Sequence, residues 1–375
     1  MIITAWLAAG AVLLAGVPAG APAGARPIVI GHRGASAVLP EHTLLAYRAA
    51  IAMGADYIEP DLVSTRDHVL VARHENEISA TTDVARHPEF AARRTTRTVD
   101  GLVVTGWFTE DFTLRELRTL RAVERAPDVR PRSAAFDGVA RIATFDEVAA
   151  LAARTGTGLY VETKHPAYFA ARGLALEPLM LATIARLGLE RSGRVYVESF
   201  ETAGLRALRR RSRLRLVQLL DVAGAPRDLA AAGDRRTYRD LATPAGLREI
   251  AGYADAVGVP TGMVIPQGPD GRLGPPTTLV RDAHLAGLAV HVWTVAPENG
   301  RLPAEFRLGD PAAPGYAAAR GDVAGWLRRL FALGVDGVFA DDPAVPRRVG
   351  ERMARAAGQA SAAAGSAPSW RSSSA

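Results

Sequence analysis

Two histidines, three carboxylates and two fixed cations fall in four short stretches of this chain. The first is Gly31-His32-Arg33-Gly34-Ala35-Ser36, directly after an apolar run. An imidazole such as His32 exchanges protons near neutral pH. The flanking glycines let backbone approach a bulky anion, and Arg33 offers a planar fork of donors matched to phosphate. The second stretch is Glu59-Pro60-Asp61. Residues two apart on a strand face the same way, and two like charges on a buried face are costly unless a cation neutralises them. Oxygen-only ligands favour Mg²⁺ or Ca²⁺ over zinc or copper. The third, Glu162-Thr163-Lys164, repeats the spacing. It adds a third carboxylate and an ammonium that meets a phosphate or balances the acidic cluster. On its own this would read as an ion pair at a strand end, and the Glu59 and Asp61 pair on another strand reverses that preference. The fourth is His74, closing Val71-Ala72-Arg73-His74 at the level of His32. Two imidazoles flanking a metal-bound phosphodiester supply a general acid and a general base.

Positioning these groups together requires strands that end at one face. Nine β-like runs alternate with amphipathic helices: Ile28 to Ile30, Tyr57 to Leu62, Val69 to Arg73, Leu159 to Thr163, Val195 to Ser199, Leu214 to Leu219, Ala256 to Val259, Ala289 to Thr294 and Gly337 to Ala340. Helical periodicity marks Thr43 to Met53, Thr144 to Ala153, Glu177 to Leu187, Thr277 to Ala286 and Asp322 to Leu333. Such alternation predicts parallel sheet with right-handed crossovers. The expected fold is an α/β TIM barrel over residues 26–355, with an insertion at about 75–141 after the third run. Nine runs compete for the barrel's eight places. Within the insertion, Thr113 to Leu120 reads as a helix with Thr113 as N-cap, and the rest as polar and aromatic loop beside the active face. His42, His165 and His291 read as supporting residues. Trp293 and Phe339 end the last two strands, where they line the mouth or cap the core.

Of 375 residues, 48% are hydrophobic and 22% charged, an ordinary globular balance. The apolar run Met1 to Val17, followed by Ala23-Gly24-Ala25, reads as a signal peptide over residues 1–25. The product is then periplasmic or extracellular, without stable membrane insertion. Residues 356–375, almost all Ala, Ser and Gly, read as a disordered tail. The chain has no cysteine, which excludes disulfides, thiolate metal sites and a catalytic thiol. The net charge of +6 is spread over helices such as Arg206 to Arg215 and forms no stripe for nucleic acid.

The ordered set Gly31 to Ser36, Leu39-Pro40-Glu41-His42-Thr43, Glu59 to Asp61, Arg73 to Asn76, Glu162 to Lys164, Glu198-Ser199-Phe200, Val292-Trp293-Thr294-Val295 and Asp336 to Asp341 resembles the glycerophosphodiester phosphodiesterase family, in particular its exported bacterial branch. The resemblance implies a TIM barrel that hydrolyses deacylated phospholipids, such as glycerophosphocholine or glycerophosphoethanolamine, to glycerol 3-phosphate and an alcohol. It implies one divalent cation, Ca²⁺ or Mg²⁺, held by Glu59, Asp61 and Glu162, with His32 and His74 as acid and base. Arg33 and Lys164 match phosphate contacts, and Phe200 and Trp293 match pocket aromatics. Two positions depart from the family pattern: His42 stands where Asn is usual, and Glu75 where Asp is frequent. Neither is expected to touch the acid, base or metal ligands. Competing readings are a phospholipase D-like enzyme acting on lysophospholipid or sphingolipid, and a non-catalytic secreted barrel that binds cell-surface polymer.

Overall fold

The computed structural model describes residues 26–365; residues 1–25, where a signal peptide is expected, and residues 366–375 lie outside the described residues. Among the described residues twelve strands form: β1 Ile28–His32, β2 Tyr57–Glu59, β3 Asp61–Ser64, β4 Leu70–Ala72, β5 Thr95–Val99, β6 Leu102–Gly106, β7 Gly158–Thr163, β8 Val195–Ser199, β9 Arg215–Leu219, β10 Ala256–Pro260, β11 Ala289–Val295 and β12 Gly337–Ala340. Strands β2 and β3 are one barrel strand interrupted at Pro60, a residue with no N–H to give to a ladder. Parallel pairing runs from β2 through β1, β12, β11, β10, β9 and β8 to β7, and β7 pairs back onto both β2 and β3. The result is a closed eight-stranded parallel barrel.

The run to be excluded from the nine is the third. Strand β4 folds back antiparallel on β3, with Leu62 opposite Ala72. Glu162 therefore stands on the third barrel strand, and His74 follows a hairpin arm rather than a barrel strand. The short turn over residues 65–69 decides this, because a parallel partner needs a crossover of a dozen or more residues.

Successive inward-facing residues build the interior in layers. Ile30, Tyr57, Tyr160, Tyr196 and Phe339 pack together as an apolar floor. The Tyr160 and Tyr196 rings stack with centroids 4.8 Å apart, and His291 Nδ1 lies 2.6 Å from the Tyr160 hydroxyl. Two residues further along those strands stand His32, Glu59, Glu162, Glu198 and Asp341. Register holds them level: His32 pairs with Glu59, Asp61 with Glu162, and Glu162 with Glu198.

Helices begin where the sequence supplies caps. Thr43 caps Leu44–Ala52, and Thr144 with Glu147 forms a capping box on Phe145–Thr155. Thr113 and Glu116 do the same for the shorter helix Leu114–Leu117. The remainder of the insertion is more ordered than a polar loop. It carries the β5–β6 hairpin, and its Ile78, Phe90, Trp107, Phe108 and Phe112 are buried in the same apolar cluster as the barrel's outer core. The C-terminal helix Ala344–Gly365 also runs through residues 356–365, which their composition had marked as disordered. Alanine has the highest helix propensity, so an Ala-rich stretch can prolong a helix already nucleated without burying anything.

Candidate active site

The turn after β1 is built for close approach. Gly34 has φ +93°, and a Cβ there would lie 2.6 Å from the backbone carbon of Ala46. Arg33 itself holds φ +54°, a strained value for a residue with a side chain. That geometry turns the Arg33 N–H onto Glu59 Oε2 at 2.6 Å. It also leaves the guanidinium 3.2 Å from Glu41 and 3.7 Å from Asp61.

Glu59, Asp61 and Glu162 are buried and present carboxylate oxygens within 4.8 Å of one another. Lys164 Nζ stands 2.7 Å from Glu162 Oε2. Its 3.2 Å approach to Asp61 Oδ1 is off the direction of a hydrogen bond, so that oxygen stays without a donor, as does Glu198 Oε2. Burial and the neighbouring Asp61 charge push the Glu59 carboxyl well up. Burial pushes Glu162 to about 8 despite Lys164. Burial acts the same way on Asp61, but Lys164 and His42 outweigh it and hold Asp61 well below the ordinary range. Buried, mutually repelling, all-oxygen and partly unsatisfied, this donor set fits a hard divalent cation.

The histidines flank the acids. His32 Nδ1 lies 2.6 Å from Asp341 Oδ1, and His74 Nδ1 lies 2.5 Å from Glu75 Oε1. Asp341 and Glu75 are both held below the usual carboxylate range: burial opposes this, but the partner imidazole and an arginine prevail. An ionised carboxylate only accepts, so Nδ1 carries the proton in both rings and Nε2 is the reactive nitrogen. Burial followed by the Arg33 charge lowers His32, and burial with Arg33 and Lys164 lowers His74 to about 3. Both rings are neutral at pH 7, and a bound phosphodiester anion would raise them.

One cavity of about 720 Å³ gathers these groups. His32, His74, Glu59, Glu162 and Lys164 line it together with Phe200, Trp293 and Phe339, whereas Asp61 is covered beneath them. Phe200 and Trp293 meet edge to face at 6.0 Å, and Phe339 packs edge-on against His32 at 6.4 Å. Trp293 thus lines the mouth, and Phe339, buried in the apolar layer, floors the cavity and caps the core. The β5–β6 hairpin reaches over the rim with Asp100 and Leu102, and Asp100 accepts from His165 at 2.5 Å.

All nine site residues expected from sequence converge here. The two departures from the family pattern do not stand apart. His42 Nε2 bonds Asp61 at 2.8 Å while its Nδ1 meets the Tyr47 hydroxyl at 2.7 Å, and Glu75 orients His74. Sequence reading missed them because strand alternation says nothing of loop side chains that fold back beneath a site. It also gave no role to Glu198 and Asp341, although Tyr57-Ile58-Glu59, Tyr160-Val161-Glu162 and Tyr196-Val197-Glu198 repeat one pattern on three barrel strands. Asp341 likewise follows the inward Phe339 by two.

Comparison with known proteins agrees with this geometry. The model of the Glycerophosphoryl diester phosphodiesterase family matches residues 32–345. A glycerophosphodiester phosphodiesterase of Arabidopsis thaliana is 34% identical over 331 residues, 84% of each chain. Among solved structures, a chain from Silicibacter pomeroyi DSS-3 superposes with TM-score 0.61 at 24% identity, covering 89% of this chain and 95% of that one. An Oleispira antarctica phosphodiesterase, solved with the product sn-glycerol-3-phosphate, gives TM-score 0.51 at 18% identity over 86% and 98% of the two chains.

Proposed function

Because this chain belongs to the glycerophosphoryl diester phosphodiesterase family, we propose that its barrel mouth hydrolyses deacylated phospholipids, such as glycerophosphocholine and glycerophosphoethanolamine, to glycerol 3-phosphate and the free alcohol. The chain is a glycerophosphodiester phosphodiesterase, and the finer assignments follow from its own residues.

Glu59, Asp61 and Glu162 would hold one divalent cation, Ca²⁺ or Mg²⁺, which when bound neutralises charge on the phosphate oxygens. Arg33 and Lys164 direct fixed positive charge into the cavity and suit the same anion. Phe200 and Trp293 give apolar surface for the carbon skeleton of the substrate. One neutral imidazole takes at Nε2 the proton of the attacking hydroxyl, of water or of the substrate's own glycerol, and the other, made imidazolium as the bound anion raises it, donates its Nε2 proton to the departing alcohol. The observation that carries this pairing is that both rings have Nδ1 committed to a carboxylate and share one cavity with Glu59 and Glu162 of the acidic triad.

The test is hydrolysis of glycerophosphocholine coupled to detection of glycerol 3-phosphate, in EDTA and then with Ca²⁺ or Mg²⁺ restored. Turnover that returns only with the cation supports the reading; a His32→Ala or His74→Ala enzyme with near wild-type turnover would sink the acid–base pair. Lysophospholipid belongs in the same assay, since Leu102 at the rim is 70% exposed and could meet an acyl chain. The apolar leader supports export, and amino-terminal sequencing of the mature protein would show cleavage after Ala25 or refute it.

A further inference from the structure

The carboxylates that orient the two histidines are both held from one short stretch of the insertion. Arg125 Nε and Nη2 each donate to Glu41 at 2.6 Å. The same guanidinium reaches Glu75, Nη1 to Oε1 at 3.1 Å and Nη2 to Oε2 at 2.8 Å. Glu75 Oε1 is the acceptor of His74. Five residues on, Arg130 Nη2 donates to Asp341 Oδ2 at 2.5 Å, Nε to Glu298 at 2.8 Å, and Nη1 to the Ser36 carbonyl at 3.0 Å. The other oxygen of Asp341 is the acceptor of His32, and it also receives the Ser36 hydroxyl at 3.0 Å.

The stretch between the arginines is itself braced. Glu124 accepts from the Ser133 hydroxyl at 2.5 Å and from the Ala126 N–H at 3.0 Å, and its own N–H donates to Asp137 at 2.7 Å. Neither arginine lines the cavity. Ion pairs as exposed as Arg125, at 29% of its side chain, add little to folding stability. Their effect is directional. A carboxylate free to rotate would present either oxygen to the imidazole at varying angles. Glu75 is clamped by the Arg125 fork across both its oxygens, and Asp341 is pinned at Oδ2 by one N–H of a guanidinium that Glu298 and the Ser36 carbonyl hold in place, so each presents a single oxygen in one plane.

We infer that Arg125 and Arg130 are positioning residues, and that the insertion is a strap carrying one arginine for each histidine. Arg125 acts through Glu75 on His74, and Arg130 acts through Asp341 on His32. The strap makes the tautomer and ring plane of both rings depend on one loop lying outside the barrel. This inference rests on His32 and His74 being the acid and base for its catalytic consequence, but not for its structural one.

The experiment labels the full mature enzyme with ¹⁵N-histidine and records imidazole spectra of wild type, Arg125→Gln, Arg130→Gln and the two Lys variants, alongside kcat against pH on glycerophosphocholine with its cation. Arg130→Gln is expected to disturb the His32 tautomer and leave His74 alone, and Arg125→Gln the reverse. Each should lower kcat by about 10–100-fold, the usual cost of removing an orienting partner. Each should also move a different limb of the pH profile. Millimolar guanidinium should restore part of the lost rate, and Lys should not, because one ammonium cannot span Glu41 and Glu75 at position 125, or Asp341, Glu298 and the Ser36 carbonyl at position 130. Unchanged imidazole spectra in both Gln variants, with thermal unfolding showing them folded, would overturn the inference. The spectra report the strap whether or not the rings are catalytic, so the His→Ala assays judge the acid–base reading separately.

Discussion

Lys164 is the only lysine in the chain, every other strong base being arginine. It is buried between Asp61 and Glu162. An ammonium is a compact point charge, whereas a guanidinium needs a planar slot. Lys164→Arg is therefore expected to abolish most turnover although charge is kept; an assay showing Arg at wild-type rate would mean the position needs only a positive charge. His42 makes a different case. Its two ring nitrogens bridge Tyr47 and Asp61, and a shorter Asn side chain cannot span both. His42→Asn should weaken cation binding by about 10-fold or more, as loss of an outer partner does. Titration calorimetry with Ca²⁺ and Mg²⁺ would measure it. Both residues were in plain sight in the sequence, but their roles depend on which carboxylate lies beside them, and that is a fact of packing.

At the level of elements, the turn joining β1 to the helix Leu44–Ala52 is the most constrained. Gly34 combines a left-handed backbone with contact against Ala46. Gly34→Ala should strain the turn and displace the Arg33 N–H from Glu59, costing stability on the order of 1–3 kcal/mol and most activity. Urea unfolding together with the glycerol 3-phosphate assay would separate the two losses. Thr144 offers a contrast, since its side chain bonds only within the capping box with Glu147. Thr144→Ala should cost about 1 kcal/mol with KM unchanged, and a shifted KM would mean the helix start communicates with the mouth.

The molecule as a whole should lose stability on acidification, and His291 is one identifiable source. It is buried against the aromatic floor, away from the carboxylate layer, and burial pushes it to about 4. Unfolded histidine titrates near ~6.5. Between these values the unfolded chain binds a proton that the folded one refuses. Stability attributable to this ring is therefore complete above ~6.5 and falls as pH drops toward 4, by up to ~1.4 kcal/mol per pH unit. Urea unfolding at pH 7 and pH 5 should show a stability loss smaller by about 2 kcal/mol in His291→Gln than in wild type. An equal loss in both would remove His291 as a source. Among the described residues no helix is long and apolar enough to cross a membrane.

Local rules were enough for much of this protein. Short apolar runs alternating with amphipathic helices forecast a parallel sheet, and the Glu-x-Asp and Glu-x-Lys spacings forecast a shared face, because side-chain direction along a strand depends only on residue count. Thr113 announced its helix by the same kind of short-range chemistry. Tertiary structure alone decided that β4 leaves the barrel and that Glu198 joins the acidic layer. It alone brought His42 beneath Asp61, and Arg125 and Arg130, from an insertion without periodicity, to the carboxylates behind both histidines. Contacts between residues far apart in sequence depend on chain closure and long-range packing, which no local pattern encodes.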